Sequence, residues 1–139
     1  DDGSAGEAFT VARHEIGAGP AIAVAISVAQ PTEAQVRQYV AREVPEASRL
    51  LTFSMPDGTG HQKVTGGAHA AALAEQIATV LRQEKEADPD AVVHIFAAVP
   101  NTLLFDLGQH HQSIAPCTVY EFDFDRRGNK SYHPSFIID

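Results

Sequence analysis

The hydrophobic pattern of this chain is clearest in its first apolar run. Residues 21–28 read AIAVAISV, in which Ile22, Val24, Ile26 and Val28 fall on one face and mostly alanine falls on the other. A strand that is apolar on both faces is typical of the centre of a sheet that is covered on both sides. The sequence therefore predicts a central strand between two layers of helix.

Strands and helices alternate after this run. Thr32-x-x-Gln35 matches a capping box and precedes apolar residues at helical spacing, which predicts a helix that ends before Pro45. Asn101 is predicted to cap a later helix. The remaining pattern predicts strands over residues 49–54, 91–98, 117–124 and 131–138, a helix over residues 69–87, and a hairpin loop over residues 125–129.

This order of elements predicts an α/β fold: a Rossmann-like open sheet with helices on both faces, mostly parallel strands and a C-terminal β-hairpin. In such sheets, ligands bind beyond the carboxyl ends of the strands, where the strand order reverses. The candidate ligand-binding loops are therefore residues 27–32, 54–67 and 99–103.

The length of 139 residues indicates one domain. We expect residues 1–18 to be a linker or a partial upstream segment, and residues 19–139 to form the ligand-binding domain. The start Asp1-Asp2-Gly3-Ser4 has no initiator Met and no signal segment, which predicts a piece of a longer protein. A single cysteine, Cys117, excludes an internal disulfide and favours a cytoplasmic location.

Charge and hydropathy exclude two classes of partner. The net charge of −8 makes duplex nucleic acid a poor partner, although a small phosphate ligand needs only local N–H groups and one or two cations. The longest apolar runs, residues 21–29 and 91–100, are much shorter than the roughly 20 residues that span a bilayer. We therefore expect neither a duplex nor a membrane to be bound.

Candidate catalytic groups are few. The sequence contains neither a Gly-x-Ser-x-Gly elbow nor a Walker motif, and its histidines lack metal-ligand spacing, so we expect no catalytic residue and no metal. His94 and Cys117 fit core positions better than sites. Glu121, Asp123 and Asp125 alternate along a strand and could form an acid–base cluster, but a solvated face is the favoured interpretation.

The loops make a better case for binding. Thr32 and Asn101 each begin a predicted helix directly after a strand, where free N–H groups attract phosphate, and Lys63 is the cation of the long loop. A helix N-terminus contributes about 0.3–2 kcal/mol, whereas nanomolar affinity needs about 12 kcal/mol. Stacked bases must therefore contribute. Four aromatic residues fit core positions as well as stacking ones: Tyr39, Phe53, Phe105 and Tyr120. The other groups that could cover the bases are loop aliphatics such as Met55 and Leu103, a missing segment, or a neighbouring subunit.

Longer stretches resemble a known family. Residues 93–101 (VHIFAAVPN), followed by Leu104-Phe105, the run 119–124 (VYEFDF) and residues 132–135 (YHPS), closely resemble the C-terminal half of SAVED domains, and residues 66–70 (GGAHA) also look like that family. The resemblance implies a CARF-related sensor of CBASS-type anti-phage effectors. Such sensors bind cyclic di-, tri- or tetranucleotides, oligomerise with ligand, and switch on a fused nuclease, TIR or protease domain. The family usually pairs two Rossmann-like halves, and this chain holds one.

The resemblance also implies site residues. The positions that match are Ser27, Gln30, Thr32, Lys63, Thr65, Pro100, Asn101 and Thr102, with Met55 and Leu103 beside them. In this interpretation Thr32 and Asn101 hold phosphate, Lys63 supplies charge and Gln30 reads a base edge. Two alternatives stay open: a ring nuclease that cleaves its cyclic oligonucleotide, and a module that assembles without ligand.

Overall fold

A computed structural model describes residues 6–60, 63–122 and 132–138 of the chain. Within these residues strands and helices alternate in the order β1 (Thr10–Glu15), β2 (Ala21–Ser27), α1 (Glu33–Glu43), β3 (Ala47–Ser54), α2 (Gly67–Ala87), β4 (Val92–Ala98), α3 (Asn101–Gly108), α4 (His111–Ile114), β5 (Cys117–Phe122) and β6 (Tyr132–Ile138).

The strands form one sheet in the order β1-β3-β2-β4-β5-β6. Strands β3, β2, β4 and β5 are parallel, whereas β1 and β6 pair antiparallel at the two edges. The predicted open α/β sheet with a C-terminal antiparallel strand pair is therefore confirmed. The predicted hairpin loop over residues 125–129 lies outside the described residues.

Strand β2 is the point at which the strand order reverses. The chain passes from β2 to β3 on one side of it and then crosses to β4 on the other side. The carboxyl ends of β2 and β4 therefore flank the position at which ligands bind in open α/β sheets.

Alternate side chains of β2 pack into two separate cores, one on each face of the sheet. Ile22, Val24 and Ile26 pack with residues of α2, α3 and α4 on one face of the sheet. Ala21, Ala23 and Ala25 pack with α1 on the other face. The small alanines suit the second face because other elements contribute the larger side chains there: Phe96, Tyr120 and Tyr39 of α1. The Phe96 and Tyr120 rings are stacked, with their centroids 4.3 Å apart. The prediction of helices on both faces is confirmed.

Two elements were not predicted from the sequence. Strand β1 lies inside the segment 1–18, for which we expected a linker or a partial upstream segment, and it pairs with β3 from Thr10↔Ser54 to Glu15↔Arg49. The short helix α4 follows α3 directly. Residues 10–15 therefore complete one edge of the sheet, and the domain boundary at residue 19 stays a prediction.

In the described parts of the chain, no helix combines the length and the apolarity that crossing a membrane requires.

Candidate functional site

The segments that follow β2 and β3 meet the end of β4 at one edge of the sheet. The Gly60 N–H donates a hydrogen bond to the Val28 carbonyl at 3.0 Å, and the Val28 and Ala29 N–H groups both donate to the Ala98 carbonyl, at 3.1 and 2.8 Å. These bonds join the long loop after β3 to the turn after β2, and that turn to the last residue of β4. The three candidate loops are thus gathered at one edge, as expected of parallel strands.

The turn after β2 is held by Ser27 and Thr32. Their hydroxyl oxygens lie 2.6 Å apart, and the Thr32 N–H donates to Ser27 Oγ at 3.2 Å. Both residues are buried. Thr32 is the N-cap residue of α1, but its side chain makes no capping hydrogen bond, so the predicted capping box with Gln35 is wrong. The Thr32 hydroxyl instead pairs with Ser27, and neither residue presents a free hydroxyl at the surface.

The start of α3 also differs from the prediction. The helix begins at Asn101 itself, and its N-cap residue is Pro100, with φ −63° and ψ 152°. The Leu103 and Leu104 N–H groups donate to the Pro100 carbonyl at 3.1 and 3.2 Å. The prediction that Asn101 caps this helix is therefore wrong, because the extended Pro100 already takes that position. Asn101 instead lies exposed in the first turn.

The other candidate residues divide by exposure. Met55 and Leu103 are buried in the core that contains α2, so their burial does not favour a role in covering bases. Exposed or half-exposed residues remain available to a ligand at this edge: Gln30, Lys63, Thr65, Pro100, Asn101 and Thr102.

A cavity of about 450 Å³ opens between the first turns of α2 and α3. Its lining residues are Gly67 and Ala71 of α2, with Asn101, Thr102, Phe105 and Asp106 of α3. Asn101 and Thr102 are the two candidate residues that it contains. The volume lies within the range of about 300–1,000 Å³ typical of small-molecule sites.

The other lining residues were not predicted as site residues from the sequence. Phe105 fitted a core and a stacking role equally well, and its side chain is 68% exposed in the structure. A helical signal for the set was present: Asn101 and Phe105, and Thr102 and Asp106, are four residues apart, and such pairs share a helix face. That spacing identifies the face, but not whether it points to the core or to a cavity.

His69 connects the long loop with the N-terminal segment. The Thr65 N–H donates to His69 Nδ1 at 3.0 Å, so Nδ1 is an acceptor, and Nε2 carries the proton that it donates to the Glu7 carbonyl at 2.7 Å. The ring is buried in the first turns of α2, close to Gly67 of the cavity. It therefore fixes the end of the candidate loop.

The clearest pKa shifts of the structure belong to residues of β4 and β5, none of which lines the cavity. Burial lowers the pKa of His94, whose Nδ1 is 2.8 Å from the Tyr120 hydroxyl, and raises the pKa of Tyr120 to about 12. Burial also raises the pKa of the Cys117 thiol to about 11, partly offset by Lys85. The core positions predicted for Cys117 and for a hydrogen-bonded His94 agree with this arrangement.

The carboxylate cluster proposed from the sequence falls mostly on residues that the structure does not describe. Asp123 and Asp125 lie outside the described residues, as does the Glu121 side chain. Among the residues that are described, no group of three or more His, Cys, Asp or Glu side chains is arranged to hold a metal ion.

Comparison with known proteins identifies similar chains. The family model of the SAVED domain, described as the SMODS-associated and fused to various effectors sensor domain, matches residues 1–138. CD-NTase-associated protein 4 of Enterobacter hormaechei subsp. hoffmannii (strain UCI 50) is 36% identical over 123 residues, which are 88% of this chain and 24% of that protein. The chain thus spans about a quarter of this relative.

Solved structures show the same fold. The Cap4 SAVED/CARF-domain containing receptor of Acinetobacter baumannii with the cyclic trinucleotide 3′3′3′-cAAA matches with a TM-score of 0.68 and 15% identity. The same receptor with 2′3′3′-cAAA matches with a TM-score of 0.65 and 14% identity. Each match covers 94% of this chain and 27% of the receptor.

Proposed function

The chain belongs to the SAVED family of sensor domains, and from that premise we propose that it binds a cyclic oligonucleotide at the carboxyl edge of its parallel strands. The ligand classes that we propose are cyclic di-, tri- and tetranucleotides. The Cap4 receptor, which shares the fold, is described in complex with two cyclic trinucleotides, and this supports a trinucleotide in particular.

The observation that carries the proposal is the junction of three chain segments at one edge. The Gly60 N–H bonds the Val28 carbonyl, and the Val28 and Ala29 N–H groups bond the Ala98 carbonyl. Segments far apart in sequence are therefore joined where β2, β3 and β4 end, and α2 and α3 follow β3 and β4 in the chain. A ring-shaped ligand has several phosphates and bases and needs contacts from more than one segment. This edge offers backbone and polar groups from the loops after β2, β3 and β4.

We propose that phosphates bind along the rim of this edge, near Lys63 and the exposed first turn of α3. Lys63 is a half-buried cation of the long loop, and Asn101 and Thr102 are exposed where α3 begins. A helix N-terminus adds a modest attraction of about 0.3–2 kcal/mol for an anion. Gln30, half-exposed in the turn after β2, remains the candidate for reading a base edge.

The larger protein's behaviour is part of the same proposal. We propose a cytoplasmic sensor domain of a CBASS-type antiviral effector, in which ligand binding drives oligomerisation and activates a nuclease, TIR or protease domain. The domain itself senses without catalysis in this scheme and requires no cofactor besides its ligand.

The test is titration calorimetry of the protein with a panel of cyclic di-, tri- and tetranucleotides. We expect saturable binding of at least one ring size; no binding by any member contradicts the proposal. Chromatography of the ligand after incubation separates the enzyme alternative, since a sensor leaves the ring intact and a ring nuclease yields linear products. Light scattering with and without ligand separates the assembly alternative, because an assembly module gives the same mass in both.

A further inference from the structure

The chemistry of the α2–α3 cavity differs from that of a phosphate site. The lining residues that the structure describes include no lysine or arginine, and one of them, Asp106, is a carboxylate. A carboxylate in a cavity repels phosphate and attracts N–H donors. The cavity therefore suits the part of a nucleotide that is flat, uncharged and rich in N–H groups, which is the base.

Phe105 provides the surface on which a base can stack. Its side chain is 68% exposed, whereas Phe53 and Phe96 are fully buried. Aromatic side chains that stack bases are sequence-tolerant anchors, because every base has a π-face. A base placed on Phe105 would remove its apolar surface from water. Among the residues that the structure describes, Phe105 belongs to neither of the two buried cores.

The arrangement on α3 places hydrogen-bonding groups next to this ring. Asn101 and Phe105 form one i,i+4 pair and Thr102 and Asp106 form the adjacent pair, so aromatic and polar side chains stand side by side. On the opposite wall, α2 contributes Gly67 and Ala71, and open space surrounds the position that a Cβ of Gly67 would take. Because Gly67 and Ala71 are small, they leave room in the cavity for a base beside the Phe105 ring.

We infer that the α2–α3 cavity is a nucleobase subsite, in which Phe105 stacks the base and Asp106 selects bases that carry an exocyclic amino group. Asp106 accepts a hydrogen bond from such an amino group. Uracil carries no exocyclic amino group and presents carbonyl oxygens, which the carboxylate disfavours. This inference rests on the proposed function and adds the base class to it.

A fluorescence experiment tests the stacking contact directly. The chain contains no tryptophan, so Phe105→Trp introduces one reporter at the cavity. Ile137→Trp is the matched control, because Ile137 is also 68% exposed and lies on β6, outside the cavity lining. We expect a cyclic adenosine trinucleotide to change the emission of Phe105→Trp and to leave that of Ile137→Trp unchanged. Equal responses of the two variants overturn the subsite.

Calorimetry tests the selection by Asp106. Two cyclic trinucleotides of identical linkage are compared, one with adenine and one with uracil. We expect Asp106→Asn to reduce the preference for adenine by about tenfold, which is the discrimination typical of one good base contact. Phe105→Ala should weaken both ligands. If the unsubstituted protein binds adenine rings but Asp106→Asn and Phe105→Ala bind identically to it, the subsite is wrong and the proposed function stands. If the unsubstituted protein binds no cyclic oligonucleotide, both are wrong.

Discussion

His69 Nε2 lies 2.7 Å from the carbonyl oxygen of Glu7, which is 62 residues away in sequence. The preceding residue, Gly6, has φ +66°, and a Cβ added to it would lie 2.7 Å from the His69 ring. Further along, the Gln76 side chain accepts from the Phe9 N–H at 2.7 Å and donates to the Phe9 carbonyl at 3.0 Å. The chain just before β1 is therefore fixed onto α2, the helix that also lines the cavity.

Gly6→Ala should lower the free energy of unfolding by about 1–3 kcal/mol. The left-handed backbone costs a non-glycine residue about 1–2 kcal/mol, and the added methyl group overlaps the buried ring of His69. Urea denaturation measures the change. Gly108→Ala is the matched control, because beyond its chain neighbours and the backbone of its own helix nothing lies within 4 Å of the added group there. Equal stability of the two variants would contradict the described packing of residue 6 on His69.

Glu84→Ala should destabilise the fold by about 3 kcal/mol. Glu84 Oε1 is 2.7 Å from Arg49 Nε, and both side chains are nearly buried. Removing one partner of a buried pair costs about 3–5 kcal/mol when the other charge is left uncompensated. Asp88 Oδ2, 3.8 Å from Arg49 Nη2, compensates part of that charge, so we expect the lower end of the range. The comparison is Glu33→Ala, which breaks the exposed pair with Arg37 and should cost less than about 1 kcal/mol. Thermal or denaturant unfolding checks both, and similar losses would mean that burial does not strengthen the first pair.

Lys63→Ala should weaken the binding of a cyclic oligonucleotide about tenfold. A hydrogen bond to a charged group contributes about 1.5–3 kcal/mol, and losing one phosphate contact should lower the salt dependence, d log K/d log[salt], by about 0.7. Calorimetry at several salt concentrations measures both. Arg82→Ala serves as the control, since Arg82 is an exposed cation near the other end of α2. If the salt dependence falls equally in both variants, Lys63 acts only through the protein's overall charge.

The stability of the fold should decrease as the pH falls below about 6.5, in part because of His94. Burial lowers the pKa of His94 in the folded protein. Below the ordinary pKa, the unfolded chain therefore binds a proton that the folded chain does not, and the free energy of unfolding decreases as the pH falls. His94→Gln cannot titrate, so the stability difference between the unsubstituted protein and this variant should shrink from pH 7 to pH 5. An unchanged difference would show that His94 titrates alike in both states.

The parallel strands were predictable because their signal is local. The apolar runs that form β2 and β4 are continuous, and a buried strand requires apolar side chains on both faces whatever its neighbours are. Strand β1 was not predictable in this way. Its residues, such as Val11 and Arg13, are mostly exposed, and it exists because β3 offers a free edge for pairing.

The errors at the helix ends have a similar cause. Thr32 has the residue type of a capping side chain, but a hydroxyl bonds whichever acceptor or donor lies nearest, and Ser27 at the end of β2 is nearer. Asn101 is the first residue of α3 rather than its N-cap, because Pro100, whose backbone is extended, occupies the N-cap position. In both cases the residue type was informative and the partner was not visible in the sequence.

The amino-acid sequence by itself determined the layered α/β fold, the edge at which its loops meet and the family to which it belongs, because periodicity and motif lie in neighbouring residues. Only the tertiary structure decided which of the candidate residues are exposed and which are buried. Ser27, Thr32, Met55 and Leu103 are buried, while Phe105 stands exposed beside Asp106. Within α3, the division between buried Leu103 and exposed Phe105 depends on how the helix packs against α2, because helical spacing alone does not specify which face a neighbouring helix will cover.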